Sequence, residues 1–162
     1  MEERPQPYRR TNEPFRVCIV LPCYNEAGVI SGTTQVLLKE LDALIAAGLA
    51  SPDSYLCCVD DGSRDATWEE VSGLSMRDRR VRGIKLSANF GHPNALIAGL
   101  FSNRSRADIL ITMDADLQDD VAVIERMLQE HREGKRVVYG VRLDRKVDSL
   151  SKRIAAALFY RV

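Results

Sequence analysis

The chain has 162 residues, enough for one domain with a real core, and its 45% apolar and 28% charged composition reads as soluble and globular. A formal net charge of zero gives no global electrostatic case for nucleic acid or an anionic membrane, and no apolar stretch reaches the ~20 residues that span a bilayer. The four cysteines, Cys18, Cys23, Cys57 and Cys58, show neither a C-x-x-C pair nor zinc spacing, so they read as small buried thiols in a reducing compartment.

The first sixteen residues are polar, with three prolines and four arginines and no apolar core of a signal peptide. They predict a flexible arm over residues 1–15. Residues 16–21 form a first apolar run, expected as a strand covered on both faces and ended by Pro22. Apolar residues at helical spacing from Ala27 to Gly48 predict a helix. Residues 55–59 predict a second buried strand, and Asp65 or Ser63 is placed to cap a helix over residues 66–75. A less apolar strand, nearer a sheet edge, is expected from Val81 to Leu86. Pro93 suits the first turn of a helix running to Phe101. Residues 109–113 predict a fourth strand, residues 121–133 a helix stopped by Gly134, and residues 136–140 a fifth strand. Strand and helix alternate, with connections long enough for parallel pairing. The last stretch, residues 149–162, reads as a basic amphipathic helix, with Lys152 and Arg153 among Leu150, Ile154, Ala157, Leu158 and Phe159. Such a helix suits either a membrane surface or its own domain.

Three strands end in polar tips: Tyr24-Asn25-Glu26, Asp60-Asp61, and Asp114-Ala115-Asp116. Convergence of separate strand ends on one rim is the signature of a ligand site in an open α/β sheet. The acids that end the fourth strand, Asp114, Asp116, Asp119 and Asp120, must sit at the surface or in a cleft, because an unpaired buried carboxylate is very costly. Asp114 and Asp116, two residues apart on extended chain, would project to the same side and repel. Mg²⁺ or Mn²⁺ would relieve that repulsion and leave room for substrate phosphates. Spacing alone leaves open that Asp116 merely sits in a turn. Asp119 and Asp120 read as helix-capping residues.

The order of these motifs resembles a specific family. Pro-Cys-Tyr-Asn-Glu follows the first strand, and Val-Asp-Asp-Gly-Ser-x-Asp closes the second. Asn89-Phe90-Gly91, Asp114-Ala-Asp-Leu-Gln-Asp-Asp and Gly140-x-Arg142 with Arg145 then follow. This succession resembles the inverting glycosyltransferase family 2, and within it the polyprenol-phosphate sugar transferases. The resemblance implies a three-layer, Rossmann-like nucleotide-diphospho-sugar transferase (GT-A) fold with a mainly parallel sheet, occupying residues 16–148. It implies that Pro22, Tyr24 and Glu26 line the base and ribose pocket, that Asp61 bonds the nucleobase with Asp60 beside it, and that Asp114, Asp116 and Gln118 hold Mn²⁺ or Mg²⁺ against the diphosphate. Asp116, Arg142 and Arg145 would carry the catalytic charge. The donor would be a UDP- or GDP-linked sugar and the acceptor a polyprenyl phosphate. The setting would be the cytoplasmic face of a membrane, with residues 149–162 leading towards it and no nucleic acid involved; an oligomer is compatible with this reading. Family members continue well past the position of Val162, so the chain is expected to hold the donor half of such an enzyme. The sequence departs from the pattern at Val121, where proline is common, and at Ala88, where arginine or lysine is common.

Two rivals share these motifs: a family 2 transferase with a polysaccharide or soluble acceptor, and a nucleotide-binding module without turnover. An aspartyl phosphotransferase would place its acidic pair after the first strand, and a dinucleotide oxidoreductase would need a G-x-G-x-x-G there. Neither pattern is present.

Overall fold

A computed structural model of the chain describes residues 13–116, 118 and 120–141. Residues 1–12 of the expected arm over residues 1–15, and the expected basic helix over residues 149–162, lie outside the described residues; Phe15, also placed in that arm, is instead buried and donates its N–H to Leu49 O at 3.1 Å. Four strands, β1 (Val17–Cys23), β2 (Tyr55–Asp60), β3 (Val81–Lys85) and β4 (Ile109–Thr112), form one sheet in the order β3-β2-β1-β4. All of its pairings are parallel. The helices are α1 (Ile30–Ala46), α2 (Thr67–Arg77), α3 (His92–Asn103) and α4 (Val123–Arg132).

The apolar strand runs follow from burial on both faces. Val17, Ile19 and Leu21 point into a core shared with Ile30, Leu37 and Leu41 of α1, Val71 of α2, and Ile124 and Leu128 of α4. Cys18 and Val20 point the other way, into a smaller core with Tyr55, Cys57, Val59 and Ala95 of α3. This gives three layers. α3 comes very close to the sheet: a Cβ on Gly99 would lie 2.4 Å from Val20 Cγ1 and 2.9 Å from Val59 Cγ2. All four cysteines are buried and unpaired, as expected.

The chain walks outward from β1 through β2 to β3, then returns across the other face by α3 to place β4 on β1's free side. The order therefore reverses between β1 and β4, and a crevice opens at the carboxyl ends of strands flanking such a reversal.

Two expectations are corrected. Pro22 does not end β1; it lies within the strand, opposite Val59. Cys23 O accepts from Asp61 N on the β2 side, and Val20 O accepts from Met113 N on the β4 side. Backbone direction alternates, so Pro22 turns its missing N–H towards β4, whose pairing with β1 stops at Val20↔Thr112. No ladder bond is lost. Residues 136–140, expected as a fifth strand, form none. They lie beside the outer side of β4 and α4 without joining the ladder, and Val137 and Tyr139 stay exposed. An apolar run becomes a strand only where its backbone finds a partner.

Candidate functional site

The carboxyl ends of β1, β2 and β4 and the start of α3 enclose a cleft of about 440 Å³. Pro22, Cys23, Tyr24 and Glu26 line it from β1 and the turn beyond, and Asp61 from the end of β2. Asn89, Gly91, His92 and Ala95 come from the approach to α3 and its first turn, and Asp114, Ala115 and Asp116 from the tip of β4.

The β1 and β2 turns are clasped together by side-chain bonds to backbone. Asn25, in the left-handed region at φ 57°, donates its N–H to Ser63 Oγ at 3.0 Å, while its Oδ1 accepts from Arg64 N at 2.9 Å. Thr67 Oγ1, fully buried, accepts from Glu26 N at 2.8 Å and donates to Asp65 Oδ1. Asp65 also accepts from Ala27 N at 3.2 Å and Thr67 N at 3.0 Å. The hydroxyl of Thr67, followed by these backbone donors, holds the Asp65 carboxyl below the usual range. Asp65, expected as a cap, is not at the cap position of α2, which is Ala66 without a side-chain cap bond; instead it ties two strand tips together, and its bond to Ala27 helps fix the turn carrying Tyr24 and Glu26.

Asp61 is only 2% exposed. Its two oxygens accept from Phe90 N at 2.8 Å and Gly91 N at 2.9 Å, anchoring the loop that leads into α3. Gly62, at φ 66°, makes room for that loop: a Cβ there would lie 2.4 Å from the carbonyl carbon of Ala88. Asp60 is fully buried and is not among the cleft-lining residues; its Oδ1 accepts from Ser63 N at 3.1 Å. Cys23 donates its thiol to Leu21 O at 3.1 Å, and the adjacent Cys58 thiol together with burial pushes its pKa well up, so it stays protonated.

At the acidic tip, Thr33 Oγ1 of α1 donates to Ala115 O at 2.5 Å, pinning the residue between the two aspartates. Asp114 is 61% exposed at its side chain, and one of its oxygens lies 3.3 Å from His92 Nε2. Asp116 is exposed and accepts from Gln118 N at 3.1 Å, an Asx turn. Among the described residues no three His, Cys, Asp or Glu side chains converge as a metal cage. Two exposed carboxylates on a cleft wall nevertheless suit a hard cation that takes its remaining ligands from water and a substrate diphosphate. Asp120 accepts from Ala122 N at 3.0 Å at the entry to α4, but the cap position is Ala122, without a side-chain cap bond; Asp119, the other expected cap, lies outside the described residues.

The structure thus gathers Pro22, Tyr24, Glu26, Asp61, Asp114 and Asp116 around one space. Gln118 is exposed beside the acidic tip, and Arg142 and Arg145 lie outside the described residues. His92 was missed as a cleft residue. Its position two before Asn94 at a helix start carried no signal of Asp114, which is remote in sequence.

Residues 18–160 match the family described as Glycosyl transferase family 2. The chain belongs to that family. An uncharacterized glycosyltransferase of Bacillus subtilis, YkoT, is 45% identical over 144 residues, covering 89% of this chain and 43% of the relative. The prophage bactoprenol glucosyl transferase homolog of Escherichia coli is 31% identical over 148 residues, covering 91% of this chain and 46% of the relative. The family 2 chain therefore spans less than half the length of these curated relatives. Among solved structures, the mannosyltransferase PcManGT from Pyrobaculum calidifontis, in complex with GDP-Man and Mn²⁺, superposes with a TM-score of 0.54 at 22% identity, over 69% of this chain and 31% of that one. TarS 1-349 of S. aureus in complex with UDP gives 0.53 at 17% identity, over 80% and 40%. At those identities the likeness establishes the GT-A fold.

Proposed function

We propose that this family 2 chain forms the donor half of an inverting transferase that moves a sugar from a UDP- or GDP-linked donor to a polyprenyl phosphate at the cytoplasmic face of a membrane. The observation that carries the reading is the single cleft joining the Pro22–Glu26 turn, Asp61 and the Asp114–Asp116 tip at the strand-order reversal. The names of the bactoprenol transferase relatives support the acceptor, and the bound GDP-Man and UDP of the structural neighbours support the donor.

In this reading Pro22, Tyr24 and Glu26 hold the base and ribose, with Asp61 and the buried Asp60 behind them. Asp114 and Asp116, with Gln118 at their side, hold Mn²⁺ or Mg²⁺, which would neutralise charge on the departing diphosphate. Arg142 and Arg145 add positive charge for the same purpose. An oxygen of the acceptor phosphate, already anionic, forms the new bond to the anomeric carbon as the bond to the diphosphate oxygen breaks on the opposite face. Positioning and electrostatics supply most of the rate, because an anionic nucleophile needs little help from a base.

Calorimetric titration of UDP and GDP, with and without Mn²⁺, tests the donor site. One nucleotide should bind in a metal-dependent way, and Asp114→Ala/Asp116→Ala should abolish that binding. If folded protein binds neither nucleotide, the assignment fails for this chain. Transfer of label to a polyprenyl phosphate, rather than to a soluble or polysaccharide acceptor, tests the second substrate. Tight nucleotide binding without any transfer would mark a binding module.

A further inference from the structure

Among the helices, α3 is unusual in being apolar on both sides. It packs on the sheet through Ala95, Gly99 and Asn103. On the opposite face, at helical spacing, Ile97 is 51% and Phe101 62% exposed, and Phe90 just before the helix is 54% exposed. The outward faces of α1 and α4 are mainly polar, with Gln35, Lys39 and Asp42 beside Val36 at 38% exposure, and Glu125, Arg126 and Gln129, while α2 exposes the single Met76. A helix apolar on the side away from its own core implies that something other than water covers that side.

The surrounding charge indicates what. The chain is neutral overall, yet residues 79–107 contain no aspartate or glutamate and six arginines and lysines. Three of these gather at the far end of α3. The Arg104 guanidinium lies 4.9 Å from the Phe101 ring centroid, and Arg106 follows two residues on. Arg82 sits on the α3 side of the sheet, over Tyr55, whose hydroxyl donates to Asn103 of α3. None of the three pairs with a carboxylate among the described residues. Exposed aliphatic and aromatic side chains flanked by unpaired cations match the boundary of an anionic bilayer, where rings enter the acyl edge and cations meet lipid phosphates.

We propose that the outer face of α3 is a membrane-contact surface for anionic bilayers. Phe90, Ile97 and Phe101 enter the interface, and Arg82, Arg104 and Arg106 engage headgroup phosphates. The proposal rests on the lipid-linked acceptor reading and gives it a geometry. His92, the first residue of α3, lines the donor cleft, and the 12-residue helix is roughly 18 Å long at about 1.5 Å per residue. Seating this face on the bilayer brings the cleft within about a headgroup layer of a lipid phosphate, whose tail then never leaves the membrane.

Flotation of the full chain with vesicles of phosphatidylcholine alone, or with 30% phosphatidylglycerol, tests this. Binding should require the anionic lipid. Ile97→Ser/Phe101→Ser should lower it at least tenfold, and Arg104→Gln/Arg106→Gln by about tenfold or more, since each interfacial cation contributes about 1 kcal/mol. UDP and GDP titrations on the same variants should match the parent, so a failed donor site and a failed membrane face give different results. Phe101→Trp in a Trp68→Phe background should be quenched by lipids brominated near the headgroup. Three results would overturn the proposal: no binding of the parent chain to anionic vesicles, less than threefold change in both variants with no quenching, or a change of oligomeric state in Ile97→Ser/Phe101→Ser with vesicle binding intact. The last would make the face a protein–protein contact.

Discussion

Replacing Asp61 by asparagine separates two roles that its position combines. In the folded chain Asp61 is nearly sealed from water and accepts two backbone N–H bonds, from Phe90 at 2.8 Å and Gly91 at 2.9 Å. Hydrogen bonds to a charged group contribute about 1.5–3 kcal/mol each, and a neutral one about 1. Asparagine keeps one acceptor oxygen but turns an NH₂ donor on the other N–H. The cheaper arrangement sets the NH₂ against Gly91, because Gly91 N also reaches Asn89 Oδ1 at 3.0 Å. One charged bond then drops to a neutral one and the other is lost, while Gly91 keeps a partner. Together these changes cost about 2–5 kcal/mol. With a urea dependence of about 2 kcal/mol per molar, the unfolding midpoint should fall by about 1–2.5 M. Equilibrium unfolding followed by far-UV circular dichroism, without nucleotide, measures this directly. A midpoint within about 0.2 M of the parent, with nucleotide binding abolished, would refute the reasoning: Asp61 would then serve the ligand and not the loop.

Gly99→Ala should destabilise by about 1–2 kcal/mol, because its Cβ would meet Val20 Cγ1 at 2.4 Å and overpacking outweighs the gain in helix propensity. The added substitution Val20→Ala should recover part of that loss, and urea midpoints of the two variants check it. Asp65→Asn should flatten the acid side of the stability profile. The carboxyl is held below its unfolded value, so its contribution is fully present above the ordinary aspartate range near pH 4 and fades as pH falls through the lower folded value. The gap between parent and variant in unfolding midpoints should therefore narrow from pH 6 to pH 3. The four thiols should be silent towards a disulfide reagent at pH 8 until urea is added: all are buried, and burial together with a neighbouring thiol raises Cys18 to about 12 and Cys23 higher still. Fast reaction of one thiol per native chain would contradict this.

The strands announced themselves because a central parallel strand must be apolar on both faces, as residues 17–21 and 55–59 are. The edge character of β3 was equally plain in its mixed residues. The three polar tips were legible as a rim, and the sheet order makes them neighbours. Pro22 was misleading because its effect depends on which neighbour its nitrogen faces, and only register settles that. Residues 136–140 have the composition of a strand, but pairing depends on a partner that composition does not reveal. The start of α1 fell at Ile30 and not Ala27 because Glu26 O first closes a turn with Val29 N and Ile30 N. The grip of Asp61 on residues 90–91 and the approach of His92 to Asp114 join segments that meet only in the folded sheet.

The position of β1 at the middle of the sheet also bears on how the protein is made. Of the four strands of this sheet β1 is made first, yet its two neighbours arrive long afterwards: Val17 bonds Ser54, 37 residues later, and Arg16 bonds Asp108, 92 residues later. At about 5–20 residues per second, the wait for the second side is roughly 5–18 s. Until then at least one flank of β1 is bare, and until α3 ends at Asn103 it also lacks the helix that covers its second face. A chaperone or a slowly translated stretch acting in that window would protect this strand first. The cleft takes walls from β1, β2 and β4, so it comes into being only when the last of the three is delivered.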